Sequence, residues 1–337
     1  MKQLLSLMII LLLCACGEVE QLPDTPQGNF DALVKIIDEH YCYLDEKGID
    51  WASTAARYRP QVTSATSQRE LFDICSSLLA ELKDGHVNLA SRFDTFYYRA
   101  WWSDYPQDFN LRTLQQYYLG FDYSTVSGMN YKVLTPAPDV KIGYIYLGSF
   151  SSAIGEAALS YVLASFHDCK GVIIDIRNNG GGLLTSVETM VRRFIQAPVT
   201  VGYIYHKTGP GHSEFSKPYP VTYTPAGKGQ ISWAGPVVLL TNRACFSAAN
   251  DFTMAMKALG QVTVIGAHTG GGGGMPFSAG LPNGWNLRFS ACPMTDAEGN
   301  SVEAGIPPDI EVHAPDEALA RGRDAILDYA LEYLENK

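Results

Sequence analysis

An apolar run from Leu4 to Leu13 and a polar, proline-bearing stretch from Gly17 to Gly28 open the chain, and helical spacing follows. Phe30, Leu33, Ile36, Ile37 and Tyr41 recur on one helical face, with Asn29 placed to act as the N-cap. A second short helix is expected over Trp51 to Tyr58. Ser67 and Glu70 form a capping-box pair ahead of Leu71, Ile74, Leu78, Leu79 and Leu82. Asp84-Gly85 interrupts this pattern as a turn, and His86-Val87-Asn88-Leu89 starts a strand. From Tyr131 the rhythm alternates. Apolar strands are expected over Ile142 to Leu147, Val172 to Ile176, Val237 to Thr241 and Val262 to Gly266. Helical segments fall between them over Glu156 to Phe166, Leu183 to Ile195 and Ser247 to Leu259. That alternation predicts an α/β fold with helical crossovers between strands. An amphipathic helix is expected to close the chain over Pro315 to Lys337.

The opening run is too short to span a bilayer and has the form of a secretion signal, with Lys2 ahead of it. It ends in Leu13-Cys14-Ala15-Cys16, which resembles the lipobox of bacterial lipoproteins, where cleavage leaves Cys16 as a lipidated N-terminus. The chain then divides into a signal segment (1–15), a tether (16–28), a helical N-terminal subdomain (29–92), an aromatic-rich connecting segment (93–130) and an α/β core with its closing helix (131–337). Beyond Lys2, 24 basic residues face 35 acidic ones, a balance of −11. No basic patch is visible, which argues against a nucleic-acid partner. Cys42, Cys75, Cys169, Cys245 and Cys292 form no CxxC pair, so neither a zinc site nor a complete disulfide framework is indicated. The connecting segment is dense in aromatics, among them Tyr97, Tyr98, Trp101 and Trp102. Such clusters serve as core, or as a surface on which a peptide or sugar stacks.

Two segments carry candidate chemistry. In GVIIDIRNNGGG (Gly171 to Gly182) a buried strand runs into glycines that bare their backbone N–H groups. In NRACFSAAN (Asn242 to Asn250) Ser247 stands at the start of a helix, in positive potential. Ser247 is the candidate nucleophile, with the N–H groups of Ala248 and Gly181 as oxyanion donors. A serine there also serves as an ordinary N-cap. Cys245 is the rival nucleophile, His86 the candidate base and His268 its alternative; Glu303 is the candidate carboxylate to orient that base. His206 and His212 read as solvated. Gly270 to Gly274 lack a following GK[ST], so they read as a flexible lip or a close backbone approach rather than a phosphate cradle.

Taken together, LKDGHVNL, GYIYLGSF, GVIIDIRNNGGG, PVVLLTNRACFSAANDF, VIGAHTGGGGG and GIPPDIEV resemble the tail-specific, or C-terminal processing, serine peptidases, within the branch similar to tricorn core protease. The resemblance implies a crotonase-like core of ββα units with a helical N-terminal piece, and serine-dependent cleavage of proteins or peptides near their C-termini. It places Ser247 as nucleophile, His86 as base, Glu303 near the acidic partner, and Ala248 with Gly181 at the oxyanion hole. The larger branch uses a lysine base 25 residues after the serine, where this chain has Gly272, leaving Ser-His-Glu. A PDZ domain often follows the histidine region in the family; the interval from His86 to Tyr131 is too short for one, and the aromatic segment stands in its place. No metal or organic cofactor is implied. The expected location is the bacterial cell envelope, by lipid anchor, with the oligomeric state open. The rival reading is a catalytically inactive peptide- or glycan-binding lipoprotein of the same fold. A third, an acyl-CoA enzyme of crotonase type, conflicts with an export signal.

Overall fold

The computed structural model describes residues 22–337, so the signal segment and Cys16 lie outside the described residues. The elements run α1 (Pro26–His40), α2 (Trp51–Tyr58), α3 (Gln68–Ala80), β1 (Asn88–Ala90), β2 (Thr95–Tyr97), α4 (Ala100–Ser103), α5 (Leu111–Thr113), β3 (Ser124–Val126), β4 (Met129–Ala137) and β5 (Val140–Leu147). There follow α6 (Glu156–Ala164), β6 (Gly171–Asp175), α7 (Leu184–Val191), β7 (Val199–Ile204), β8 (Tyr219–Tyr223), β9 (Val237–Thr241), α8 (Ala248–Lys257) and β10 (Val262–Gly266). The chain ends with β11 (Gly274–Gly280), β12 (Asn286–Asp296), β13 (Ile310–Glu311), α9 (Asp316–Ala320) and α10 (Ala325–Glu335).

Helix α1 begins earlier than Asn29. Thr25 caps it by accepting from the amide of Gly28, and Pro26 supplies the favoured first-turn proline. Asn29 is buried instead, donating to Asp24 Oδ1 and accepting from the amide of Asn283. The capping box at the head of α3 forms in both directions. The closing helix is split. Gly322 takes φ +80°, which favours glycine, and Asp324 then caps α10 through the amide of Leu327.

One sheet has the order β13-β10-β9-β6-β5-β4-β3, and its members from β5 to β13 pair in parallel. Parallel neighbours need crossovers, and α6 and α8 supply them between β5 and β6 and between β9 and β10. Period-two alternation sends Val172, Ile174, Val237, Leu239 and Val264 to the face packed by α6, α7 and α8. Ile173, Val238, Leu240 and Ile265 go to the opposite face, under α9 and α10. With both faces buried, the strands read as unbroken apolar runs. The second sheet, β2-β1-β12-β7-β8 with β11 on β12, is antiparallel. The N-terminal helices pack on it: Phe30, Leu33, Ile37, Phe72 and Leu78 share a core with Leu287, Phe289 and Ala291 of β12. The helical subdomain thus has no core separate from the far end of the chain.

Candidate active site

The C-terminal ends of β5, β6 and β9 meet at one point, and the asparagines of the RNNGGG turn tie them together. Asn178 and Asn242 bond reciprocally, amide N–H to side-chain oxygen at 2.9 Å and side-chain amide to side-chain oxygen at 2.7 Å. Asn179 donates to the carbonyl of Leu147 at the end of β5, and its own carbonyl accepts from the amide of Phe246. This lacing sets the glycines against the segment that carries Ser247.

Ser247 stands at the N-terminus of α8 with φ +57° and ψ −122°, a strained conformation for a residue with a side chain. The strain is held by bonds from its amide to the carbonyl of Gly271 and from the amide of Asp251 to its carbonyl. Its hydroxyl does not cap the helix. It lies 2.9 Å from Nε2 of His86, a residue 161 positions away. The sharp Asp84-Gly85 turn presents that imidazole, packed on the ring of Phe246 at 4.8 Å. His86 is 3% exposed, and burial pushes its pKa down to about 4, against the upward pull of Asp84. The imidazole is therefore neutral at pH 7.

The other candidate residues fall around this pair. The amide of Ala248 belongs to the first turn of α8, where N–H groups have no intrahelical acceptor. The amide of Gly181 already donates to Asn179 Oδ1 at 2.9 Å. Its φ of +98° and its closeness to Ser247 allow no side chain: a Cβ there would lie 2.9 Å from both Ser247 Cβ and the Ala248 nitrogen. Glu303 does not bond the imidazole. Its Oε1 accepts from Lys47 Nζ at 2.8 Å and its Oε2 from the amide of Gly273 at 3.1 Å. Burial and the charge of Asp84 push Glu303 up to about 8, with Lys47 opposing.

Asp84 and Lys47 are the residues that sequence reasoning missed. Asp84 Oδ1 accepts from the amide of His86, while Oδ2 accepts from Tyr41 and Ser290 and lies 3.8 Å from Lys47 Nζ. An Asp-Gly turn was visible in the sequence, but nothing local distinguished a turn-former from a carboxylate that sets the field at His86. Lys47 lies in a loop with no pattern to mark it.

Cys245 and His268 are placed elsewhere. Cys245 is fully buried, its thiol bonded to the carbonyl of Ile176 and pushed up to about 12 by burial. His268 Nδ1 contacts the carbonyl of Thr269 and has no bond to Ser247. His212 is paired rather than simply solvated, with Asp38 at 3.0 Å and Asp45 at 3.3 Å. The glycine run is a close approach and not a loose lip. A Cβ on Gly271 would lie 1.9 Å from the Glu303 carbonyl oxygen, and one on Gly272 2.5 Å from the ring of Phe246.

Two depressions flank Ser247. A cleft of about 530 Å³ is walled by Tyr97, Tyr98, Trp101 and Trp102 of the aromatic segment, with Trp101 stacked on Phe246 at 4.1 Å. A smaller pocket of about 160 Å³ is lined by apolar Leu184, Met275, Pro276 and Val302 together with polar Asn250, Asp251 and Arg288. Two other aromatics of the segment pack away from the cleft, Phe93 on Phe72 and Trp285 and Phe109 on Tyr146, while Tyr105, Tyr117 and Phe121 are exposed.

An α/β fold that sets a serine hydroxyl at a helix N-terminus, against a neutral buried histidine, has the architecture of a serine hydrolase. The comparisons narrow the class. The profile of peptidase family S41 matches residues 141–312, and that of the tricorn protease C1 domain matches residues 23–80. The chain belongs to peptidase family S41. A crystal structure from Parabacteroides merdae, itself only provisionally assigned as a peptidase, is 45% identical with a TM-score of 0.87, covering 93% of this chain and 97% of that one. Mature CPAF in complex with lactacystin shares the fold at 12% identity and a TM-score of 0.69, covering 93% of this chain and 99% of that one. The carboxy-terminal processing protease CtpB of Bacillus subtilis is 27% identical over 177 residues, which are 52% of this chain and 35% of that protein. The chain thus matches about a third of the length of this relative.

Proposed function

We propose that the chain is a serine endopeptidase that hydrolyses peptide bonds in proteins or peptides near their C-termini, anchored by lipid on Cys16 to the bacterial cell envelope. The anchor rests on the Leu13-Cys14-Ala15-Cys16 pattern. The 2.9 Å contact between Ser247 Oγ and His86 Nε2, beside an open cleft, carries the catalytic reading. His86 accepts the serine proton as Oγ attacks the scissile carbonyl, then returns it to the leaving amine. An imidazole held near 4 is fully available but weakly basic. That value already includes the upward pull of Asp84, without which the imidazole would be a weaker base still.

The developing oxyanion faces the amide of Ala248, with the positive end of α8 behind it. Gly181 supplies the second donor by exchanging Asn179 Oδ1 for the oxyanion, since a charged acceptor outcompetes a neutral amide oxygen. Glu303 is a positioning residue in this scheme. Through Gly273 and Lys47 it braces the glycine strand and the Asp84 carboxylate behind the histidine.

The test is digestion of a mixture of unfolded proteins by wild type and by Ser247→Ala, with new termini read by mass spectrometry. New termini are expected with wild type, and a loss of at least about a thousandfold in the variant. Undiminished cleavage by Ser247→Ala would sink the assignment. A fluorophosphonate probe should label wild type at Ser247 and leave the variant unlabelled.

A further inference from the structure

The chain carries 25 basic and 35 acidic residues, yet the cleft in front of Ser247 is lined by Arg99 and Arg288 and by no aspartate or glutamate. Arg288 sits on β12 opposite Asn88 of β1 and lines both the cleft and the small pocket, so it stands at the boundary where Ser247 lies. Its guanidinium is half-buried. Among the described residues its hydrogen-bond partner is Asn88 Oδ1 at 3.4 Å, and no carboxylate forms an ion pair with it. Asp84 contributes only through its field, because its oxygens are committed to Tyr41, Ser290 and the amide of His86.

Half-buried Arg243 also lacks an acid, but its fork is taken up by the carbonyls of Trp101, Thr269 and Ala304, and the fully buried arginines are ion-paired. Arg177 pairs with Asp175 and Asp324, and Arg193 pairs with Glu156. A partly desolvated guanidinium without a counter-ion is costly, and its planar fork of donors matches a carboxylate. In the cleft the neighbouring lining adds neutral groups, the hydroxyls of Ser149 and Ser151 and the glycines at 180–182, and the carboxylate that lines the adjoining small pocket, Asp251, accepts from Tyr223 and forms no ion pair with Arg288. We propose that Arg288 is a specificity residue that binds a carboxylate of the substrate beside the scissile bond, with exposed Arg99 adding to the attractive field. The carboxylate is either an acidic side chain near the cleaved bond or the terminal carboxylate of the substrate. The inference rests on the peptidase reading of Ser247 and specifies which peptides that site takes.

The test uses the full chain and peptides in matched pairs: Glu against Gln at each position flanking the cleaved bond, and a free C-terminal acid against its amide. Wild type should cleave the anionic member of one pair with kcat/KM higher by on the order of tenfold. That ratio should fall to about one in Arg288→Gln and be partly restored in Arg288→Lys, which keeps the charge without the fork. A Glu/Gln ratio identifies a side-chain carboxylate, and an acid/amide ratio the chain terminus. Equal rates within both pairs for wild type, or a ratio unchanged in Arg288→Gln, would overturn the proposal while leaving the peptidase reading intact. Binding of the same labelled peptides to Ser247→Ala separates the two ideas further. A preference for the anionic member, lost in Ser247→Ala/Arg288→Gln, supports the carboxylate site even if no peptide is cleaved; equal affinities refute it.

Discussion

Arg177 and Lys47 each sit between two carboxylates in the interior, and the two clusters differ in how tightly they are closed. Arg177 has no exposed surface. Its Nε and Nη2 bond Asp175 at 2.9 and 2.6 Å, and its Nη1 bonds Asp324 at 2.8 Å, with Tyr144 donating to Asp175 as well. The forked guanidinium engages both acids and ties the end of β6 to the cap of α10. Lys47 keeps 19% of its side chain exposed. It holds Glu303 at 2.8 Å but Asp84 only at 3.8 Å, and a point-like ammonium cannot engage both acids in fixed planes. Burial and the neighbouring Asp84 push Glu303 up to about 8. One cluster is a closed structural joint. The other lies behind His86 and can change its protonation near neutral pH.

The contrast is open to attack at several points. The largest effect is expected from Arg177→Met, which strands two buried carboxylates. Stability should fall by about 3–5 kcal/mol in guanidinium unfolding. Lys47→Met should cost less, on the order of 1–2 kcal/mol, because its site is partly wet and Glu303 can take up a proton. Equal losses would erase the distinction.

A smaller effect should appear in the pH dependence of stability. The folded pKa of Glu303 lies above its unfolded value, so its contribution is full below about 4.5 and is lost as pH rises through about 8. Glu303→Gln should flatten the fall in stability across that window, and an unchanged slope there would show that Glu303 does not titrate as inferred. His86 has the opposite sign. Its folded pKa is depressed, so its contribution is present above about 6.5 and is lost as pH falls toward 4.

The mildest test concerns activity. As the base must be neutral, kcat/KM should hold down to about pH 4 and then fall about tenfold per unit. A midpoint near 6.5 would mean that the imidazole is wetter than its 3% exposure implies.

Much of the architecture was legible because local physics repeats. The apolar runs of β6, β9 and β10 marked strands buried on both faces, and the Ser67–Glu70 box marked the head of α3. The start of α1 was missed because Thr25 with Pro26 is as good a cap as Asn29, and only packing against Asn283 decided between them. The break before α10 was missed because the amphipathic pattern runs straight through Gly322. At the site, Ser247 and His86 were readable from the helix start and the tight turn. The place of Glu303 was readable, but its partner was not. An acid before a Gly-Ile-Pro-Pro turn looks the same whether it faces an imidazole or a lysine from the loop between α1 and α2.

The sequence alone determined the strand and helix rhythm, the glycine turns and the residue types able to perform acyl transfer. These depend on neighbours within a few positions, where propensity and periodicity act. Tertiary structure alone decided that Ser247 points at His86 and not back into its own helix, that Lys47 claims Glu303, and that Arg288 faces the cleft with no ion pair to an acid among the described residues. Each of these depends on groups distant in the chain competing for the same partner in a space with little water, and that competition leaves no local trace in the order of residues.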